Sequence, residues 1–275
     1  MSIALIAGTG GLPPHLADSL VEQGRTPIVC EMRGFVSEIE GAFERVGFRI
    51  ETLGTFLETL KSLHVTEVCM AGAVQRPVVD PNAIDPATAP LLPRLMAAMA
   101  KGDDGTLREI VAIFEEQGFA VVGAHEVAPD LLPVTGVHTQ TIPADLTREL
   151  AAAQTKLAEM GHADQGQAML LKDGAVLAVE DARGTAAMLQ DYYAPLDARG
   201  AAKEKSADSS VLFKAPKPDQ LVVADMPLIG PETAKQAAQA GLAGIVIPSE
   251  VVMVLDLPQV VAILDAQGMF LQVIP

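Results

Sequence analysis

Residues 3–20 read IALIAGTGGLPPHLADSL: an apolar run, the turn Gly8-Thr9-Gly10-Gly11, two prolines and then a helical pattern. An apolar strand, a glycine turn and a helix in that order open a parallel βαβ unit. The turn leaves backbone N–H groups and the positive end of a helix where a phosphate can sit. Glu31, closing the next apolar run, stands where a ribose-binding acid falls in dinucleotide-binding proteins. Pro13 takes the place of the third glycine of G-x-G-x-x-G, however, and no Walker lysine follows. Two readings stay open: a nucleotide or phosphate contact, or a tight turn that needs glycine.

Outward from this stretch, apolar runs at 27–32, 65–71 and 120–123 read as further strands. Helical patterns fall between them at 14–23, 55–62, 86–99 and 106–117. The segment 124–143 holds three prolines and no clear periodicity, which places a domain boundary near residue 135. The expected architecture is α/β, with a Rossmann-like parallel domain over 1–135 and a mixed α/β catalytic domain over 136–275. In the second half, a helix over 144–159 precedes a hairpin over 169–179, turning at Lys172-Asp173-Gly174. A helix over 185–192, a polar loop over 201–210, a strand over 221–225, a helix over 231–241, a strand over 244–248, a helix over 257–268 and a strand over 270–274 complete it.

Composition narrows the function. Across 275 residues, 19 Lys and Arg face 35 Asp and Glu, a formal charge of −16. Such a surface repels nucleic acid and gains nothing electrostatically on anionic lipid, so a lipid partner must be held by apolar contacts. Cys30 and Cys69 lie in apolar runs without metal-ligand or redox spacing and read as core thiols. The first residues carry neither a basic region nor a cleavage site, and no apolar run is long enough to span a bilayer, so a cytoplasmic protein is expected.

Several chemistries are excluded by spacing. There is no HExxH, no binuclear metallophosphoesterase set and no G-x-S-x-G turn. Arg108-Glu109-Ile110 precedes Glu115-Glu116 by the wrong interval for a Nudix box. His125 and His162 read as surface residues. Asp103 and Asp104 either hold a divalent cation against a diphosphate or cap the helix that follows them.

The densest polar constellation is in the second half. Asp164-Gln165-Gly166-Gln167 precedes the hairpin, Glu180 ends it, and Arg183-Gly184-Thr185 leads into a helix. Lys214 and Lys217 flank Ala215-Pro216. Asp225 ends the apolar run LVVA and is followed by MPLIGPET, where Gly230 gives a turn, Pro231 suits a first helical position and Thr233 is placed to bond a phosphate oxygen.

These residues carry a resemblance. AGTGGLP (7–13), AGAVQRP (71–77), KGDDGTLR (101–108), DQGQ (164–167), AVEDARGTAAML (178–189), KAPKPDQ (214–220) and DMPLIGPET (225–233) occur in order over the whole chain. Together they resemble the LpxI-type UDP-2,3-diacylglucosamine pyrophosphatases of lipid A biosynthesis. The resemblance implies two α/β domains with substrate in the cleft between them. It implies hydrolysis to UMP and 2,3-diacylglucosamine 1-phosphate (lipid X), and dependence on Mg²⁺ or another divalent cation. It further implies peripheral contact with the inner membrane through the lipid substrate.

The aspartate of D-x-P-x-x-G-x-x-T carries over to Asp225, expected to bind the metal or to orient and deprotonate the attacking water. Lys214 and Lys217 are expected to stabilise phosphoryl oxygens, and Gln167 and Thr185 to grip the sugar phosphate. Gly10, Gly11, Gln75 and Asp103 are expected to meet substrate from the N-terminal side. Two other readings are a non-catalytic nucleotide-sugar or lipid-binding protein and, from Glu31 and the glycine turn, an NAD-dependent dehydrogenase.

Overall fold

Ser2–Ala7 is almost wholly apolar and almost wholly buried, so it needs neighbours on both sides and becomes the centre of a parallel sheet. The computed structural model describes residues 2–74, 78–100, 102–162, 166–197 and 209–275. The chain divides into two compact units, Met1–Pro129 with Val223–Asp225, and Asp130–Val222 with Met226–Pro275.

The first unit runs β1 (Ser2–Ala7), α1 (Leu12–Glu22), β2 (Ile28–Met32), β3 (Arg45–Phe48), α2 (Leu53–Ser62), β4 (Val65–Ala71), α3 (Leu92–Met99), α4 (Asp103–Glu116), β5 (Ala120–Val121) and α5 (Ala124–Val127). Its five strands are all parallel, in the order β3-β2-β1-β4-β5. One face is filled by aromatic packing: Phe48 stacks on Phe56 at 4.1 Å, and Phe114 meets the edges of Phe56 and Phe119. The edge strand β3 was not expected, because RVGF buries little except Phe48. The helix expected over 86–99 begins only at Leu92. Pro90 lies in a 3₁₀ turn over Ala89–Leu91, where a longer α-helix would lose an N–H. The buried Thr88 hydroxyl accepts from the Gly54 N–H at 2.8 Å just before that turn.

The second unit runs β6 (Gly136–Val137), α6 (Thr147–His162), β7 (Ala168–Lys172), β8 (Ala175–Val179), α7 (Thr185–Asp197), β9 (Val211–Lys214), β10 (Leu228–Ile229), α8 (Pro231–Gln239), β11 (Gly244–Pro248), β12 (Met253–Val254), α9 (Leu257–Ala266) and β13 (Phe270–Ile274). The main sheet has the order β6-β13-β11-β9-β7-β8. Strands β13, β11 and β9 are parallel, and β6, β7 and β8 are each antiparallel to their neighbours. Strand alternation splits the core. Leu170, Leu212, Ile245, Ile247 and Leu271 pack towards α7, α8 and α9, while Met169, Leu171, Val211, Phe213 and Val246 pack towards α6. The hairpin turns through Asp173 and Gly174 at φ 51° and 78°, the two positive values that a type I′ turn requires.

The strand expected over 221–225 does not form. Those five residues are only half-buried, and the Val222 N–H folds back onto the Gln220 carbonyl at 2.9 Å. Pro227 then removes a ladder donor just beyond. The central strand lies upstream instead, in VLFK, all four residues of which are buried.

Candidate active site

At the glycine turn, β1 and β4 are joined beyond their last strand residues. The Gly8 N–H donates to the Ala71 carbonyl at 2.8 Å, and Thr9 and Ala73 exchange both backbone hydrogen bonds at 3.0 and 2.9 Å. A Cβ on Gly8 would lie 2.5 Å from the Ala73 oxygen, and one on Gly72, whose φ is 89°, would lie 2.8 Å from the Gly8 carbonyl carbon. Gly8 and Gly72 are therefore required by the close approach of two backbones. The donors left over are downstream. Among the described residues, the N–H groups of Gly10 and Gly11 meet no acceptor, and they stand at the start of α1, where Pro13 and Pro14 add no N–H.

Glu31 is committed elsewhere. It accepts from the Ser37 N–H at 2.9 Å, the Ser37 hydroxyl at 2.6 Å and Arg45 at 3.1 Å. Burial raises its pKa, but those hydrogen bonds and the Arg45 charge outweigh it and hold the carboxyl below its ordinary value. A residue so engaged is a loop staple, which leaves the dehydrogenase reading without its ribose acid.

The second unit gathers a polar cluster around the hairpin. Lys214, at the end of β9, is buried, and its Nζ donates to Thr185 Oγ1 at 3.0 Å. Thr185, the first residue of α7, donates in turn to Glu180 Oε1 at 3.0 Å. Glu180, also buried, takes the Gln167 N–H on its other oxygen at 2.7 Å. The Gln167 carbonyl accepts from the Ala215 N–H at 2.9 Å, tying the same segment to the residue after Lys214. The neighbouring cation Arg183 is spent on Asp181 and Asp191, both at 2.7 Å.

The structure thus brings Gln167, Thr185 and Lys214 together. Lys217 lies in the loop after β9, its N–H on the Gln220 side chain at 2.9 Å. Asp225 follows the turn described above, in the segment grouped with the first unit. Thr233 sits in the first turn of α8 beside the exposed Glu232, a negative charge at the position where an anion would bind. Asp103 and Asp104 open α4, and Asp104 pairs with Arg108 at 2.6 Å one turn on, the pattern of residues that stabilise a helix start. Gln75 lies outside the described residues, as do Lys101, Asp164 and Gln165. Glu180 is the residue that spacing left without a role. The signal was an acid closing an apolar strand five residues before a helix-opening threonine.

Among the described residues, no group of three or more His, Cys, Asp or Glu is arranged to hold a metal. Also among them, no helix is long and apolar enough to cross a membrane.

A parallel α/β unit joined to a mixed α/β unit, with a buried lysine and carboxylate at the ends of strands and a threonine opening a helix between them, defines a class of protein suited to anionic ligands. Family comparison makes it specific. Residues 2–131 match the LpxI N-terminal domain and residues 134–272 the LpxI C-terminal domain. The chain is 36% identical, over 274 residues, to UDP-2,3-diacylglucosamine pyrophosphatase LpxI of Caulobacter vibrioides, covering 98% of this chain and 95% of that protein. The chain belongs to the LpxI family.

Proposed function

We propose that this chain hydrolyses the diphosphate of UDP-2,3-diacylglucosamine to UMP and 2,3-diacylglucosamine 1-phosphate. The observation that carries this reading is the match of both halves to one family, with a relative of that named activity aligned almost end to end. The buried Lys214 supports it, since an ammonium out of water is the group that developing charge on a phosphoryl oxygen rewards most.

Water attacks the phosphorus on the sugar side, the bond to the bridging oxygen breaks, and UMP leaves. Asp225 orients that water and takes its proton. Lys214 and Lys217 neutralise phosphoryl oxygens, and Gln167 with the backbone N–H of Thr185, at the start of α7, fixes the sugar phosphate. In the first unit, the strand order β3-β2-β1-β4-β5 supports a Rossmann-like description, and Gly10 and Gly11 offer their N–H groups to the nucleotide side.

Among the described residues no closed cage of three or more acidic, His or Cys ligands is present, so a cation would be held as Mg²⁺ commonly is, by one or two carboxylates with phosphate oxygens and waters. Asp225 is the residue that would hold it. When bound, it would supply positive charge to the diphosphate. The apolar substrate chains draw the enzyme to the membrane surface, at about 0.8 kcal/mol for each CH₂ taken from water.

The test is phosphorus NMR of the reaction in ¹⁸O water, with Mg²⁺ or with EDTA. Label in the sugar phosphate, lost with EDTA, is expected. Label in UMP would overturn the side of attack, and full turnover in EDTA would overturn the metal requirement. Bound but intact substrate would leave the non-catalytic reading in its place.

A further inference from the structure

We propose that Glu180 is a positioning residue for this hydrolysis, acting on Lys214 through the hydroxyl of Thr185. The inference rests on the reading of Lys214 as the group that neutralises phosphoryl oxygens.

The donor inventory fixes the direction of the chain. A lysine ammonium only donates and an ionised carboxylate only accepts, so the hydroxyl between them must accept from Lys214 and donate to Glu180. Thr185 has one hydroxyl proton, and it is spent on Glu180. Its lone pair then faces Lys214 and anchors the ammonium at that point. The carboxylate is itself immobilised on both oxygens, by Thr185 at 3.0 Å and by the Gln167 N–H at 2.7 Å. Its stem passes over Gly166 so closely that an added Cβ there would fall 2.5 Å from Glu180 Cγ.

One buried carboxylate therefore fixes the end of β9, the first turn of α7 and the segment entering the hairpin. A negative charge beyond the hydroxyl also polarises it towards the ammonium, and at low dielectric such chains strengthen each member. Lys214 needs this arrangement because an unrestrained lysine carries much rotamer freedom that would be lost on each turnover.

The experiment measures kcat and KM on UDP-2,3-diacylglucosamine for Glu180→Gln, Thr185→Val, Thr185→Ser, Lys214→Gln and the Glu180→Gln/Lys214→Gln double variant, with circular dichroism to verify folding. Glu180→Gln and Thr185→Val are expected to lower kcat about 30-fold or more with KM changed less than about threefold, and Thr185→Ser to restore most of what Thr185→Val loses. The double variant is expected to match Lys214→Gln alone, because a residue that acts through the lysine has nothing left to act on. Effects that multiply in the double variant, or a well-folded Thr185→Val with unaltered kcat, would overturn the positioning role. Unaltered turnover in Lys214→Gln would instead remove the lysine from the reaction, and with it the ground of the inference. Absence of hydrolysis by the wild type is a separate failure, that of the functional reading.

Discussion

A single carboxyl oxygen decides several outcomes at the residue scale. On the proposed role, Asp225→Asn keeps the shape but removes proton acceptance and the negative charge, so kcat should fall at least about 100-fold, the range of a lost general base, with circular dichroism verifying the fold. Glu51 is the opposite kind of acid. Its side chain is 4% exposed and accepts from Arg49 at 3.1 and 3.2 Å and from the Asp80 N–H at 2.9 Å. The Arg49 hydrogen bonds and the Asp80 N–H hold its pKa at about 2, below the 4.5 of an unperturbed Glu. The unfolded chain binds the proton more readily, so this stabilisation is complete above about pH 5 and is lost as pH falls towards 2. The loss by pH 3 is on the order of 2 kcal/mol. Urea titrations at pH 7 and pH 3 should show Glu51→Gln losing less stability than the wild type over that interval.

At the scale of elements, the tightest joint is between α2 and the chain before α3. A Cβ on Gly54 would lie 2.2 Å from the Ala87 carbonyl carbon. Alanine ordinarily gains about 1 kcal/mol over glycine inside a helix, yet Gly54→Ala should lower the melting temperature, because backbone cannot retreat from it. Leu212, fully buried in β9, should cost about 2–5 kcal/mol when cut to alanine, measured by urea unfolding.

The β1–turn–α1 unit was legible because three signals coincide there: burial, glycine and helical period. The hairpin was legible from Asp173-Gly174. VLFK was not, since four residues ending in lysine next to a polar run look like a loop until a neighbouring strand buries them. The run 221–225 misled for the converse reason: apolar residues forecast burial only where a partner strand exists. At the site, Gln167, Thr185 and Lys214 were legible as residue types in sequence, while the role of Glu180, whose two oxygens tie Gln167 to Thr185, emerges from distances.

The whole molecule carries a formal charge of −16. Sedimentation with vesicles of anionic lipid should therefore be weak in dilute buffer and no weaker at 0.5 M salt; a steep fall with salt would reveal a cationic face that the composition argues against.

The seam between Thr9 and Ala73 has one more consequence, for amide exchange with heavy water. Within four residues the chain holds two kinds of amide. Gly8 and Thr9 are locked onto the carbonyls of Ala71 and Ala73, while Gly10 and Gly11 are open. The first pair should exchange slowly and the second quickly, in the same peptide and under the same conditions. A nucleotide resting on this turn would slow the second pair and leave the first untouched, so the protein carries an internal clock and its own reference beside each other.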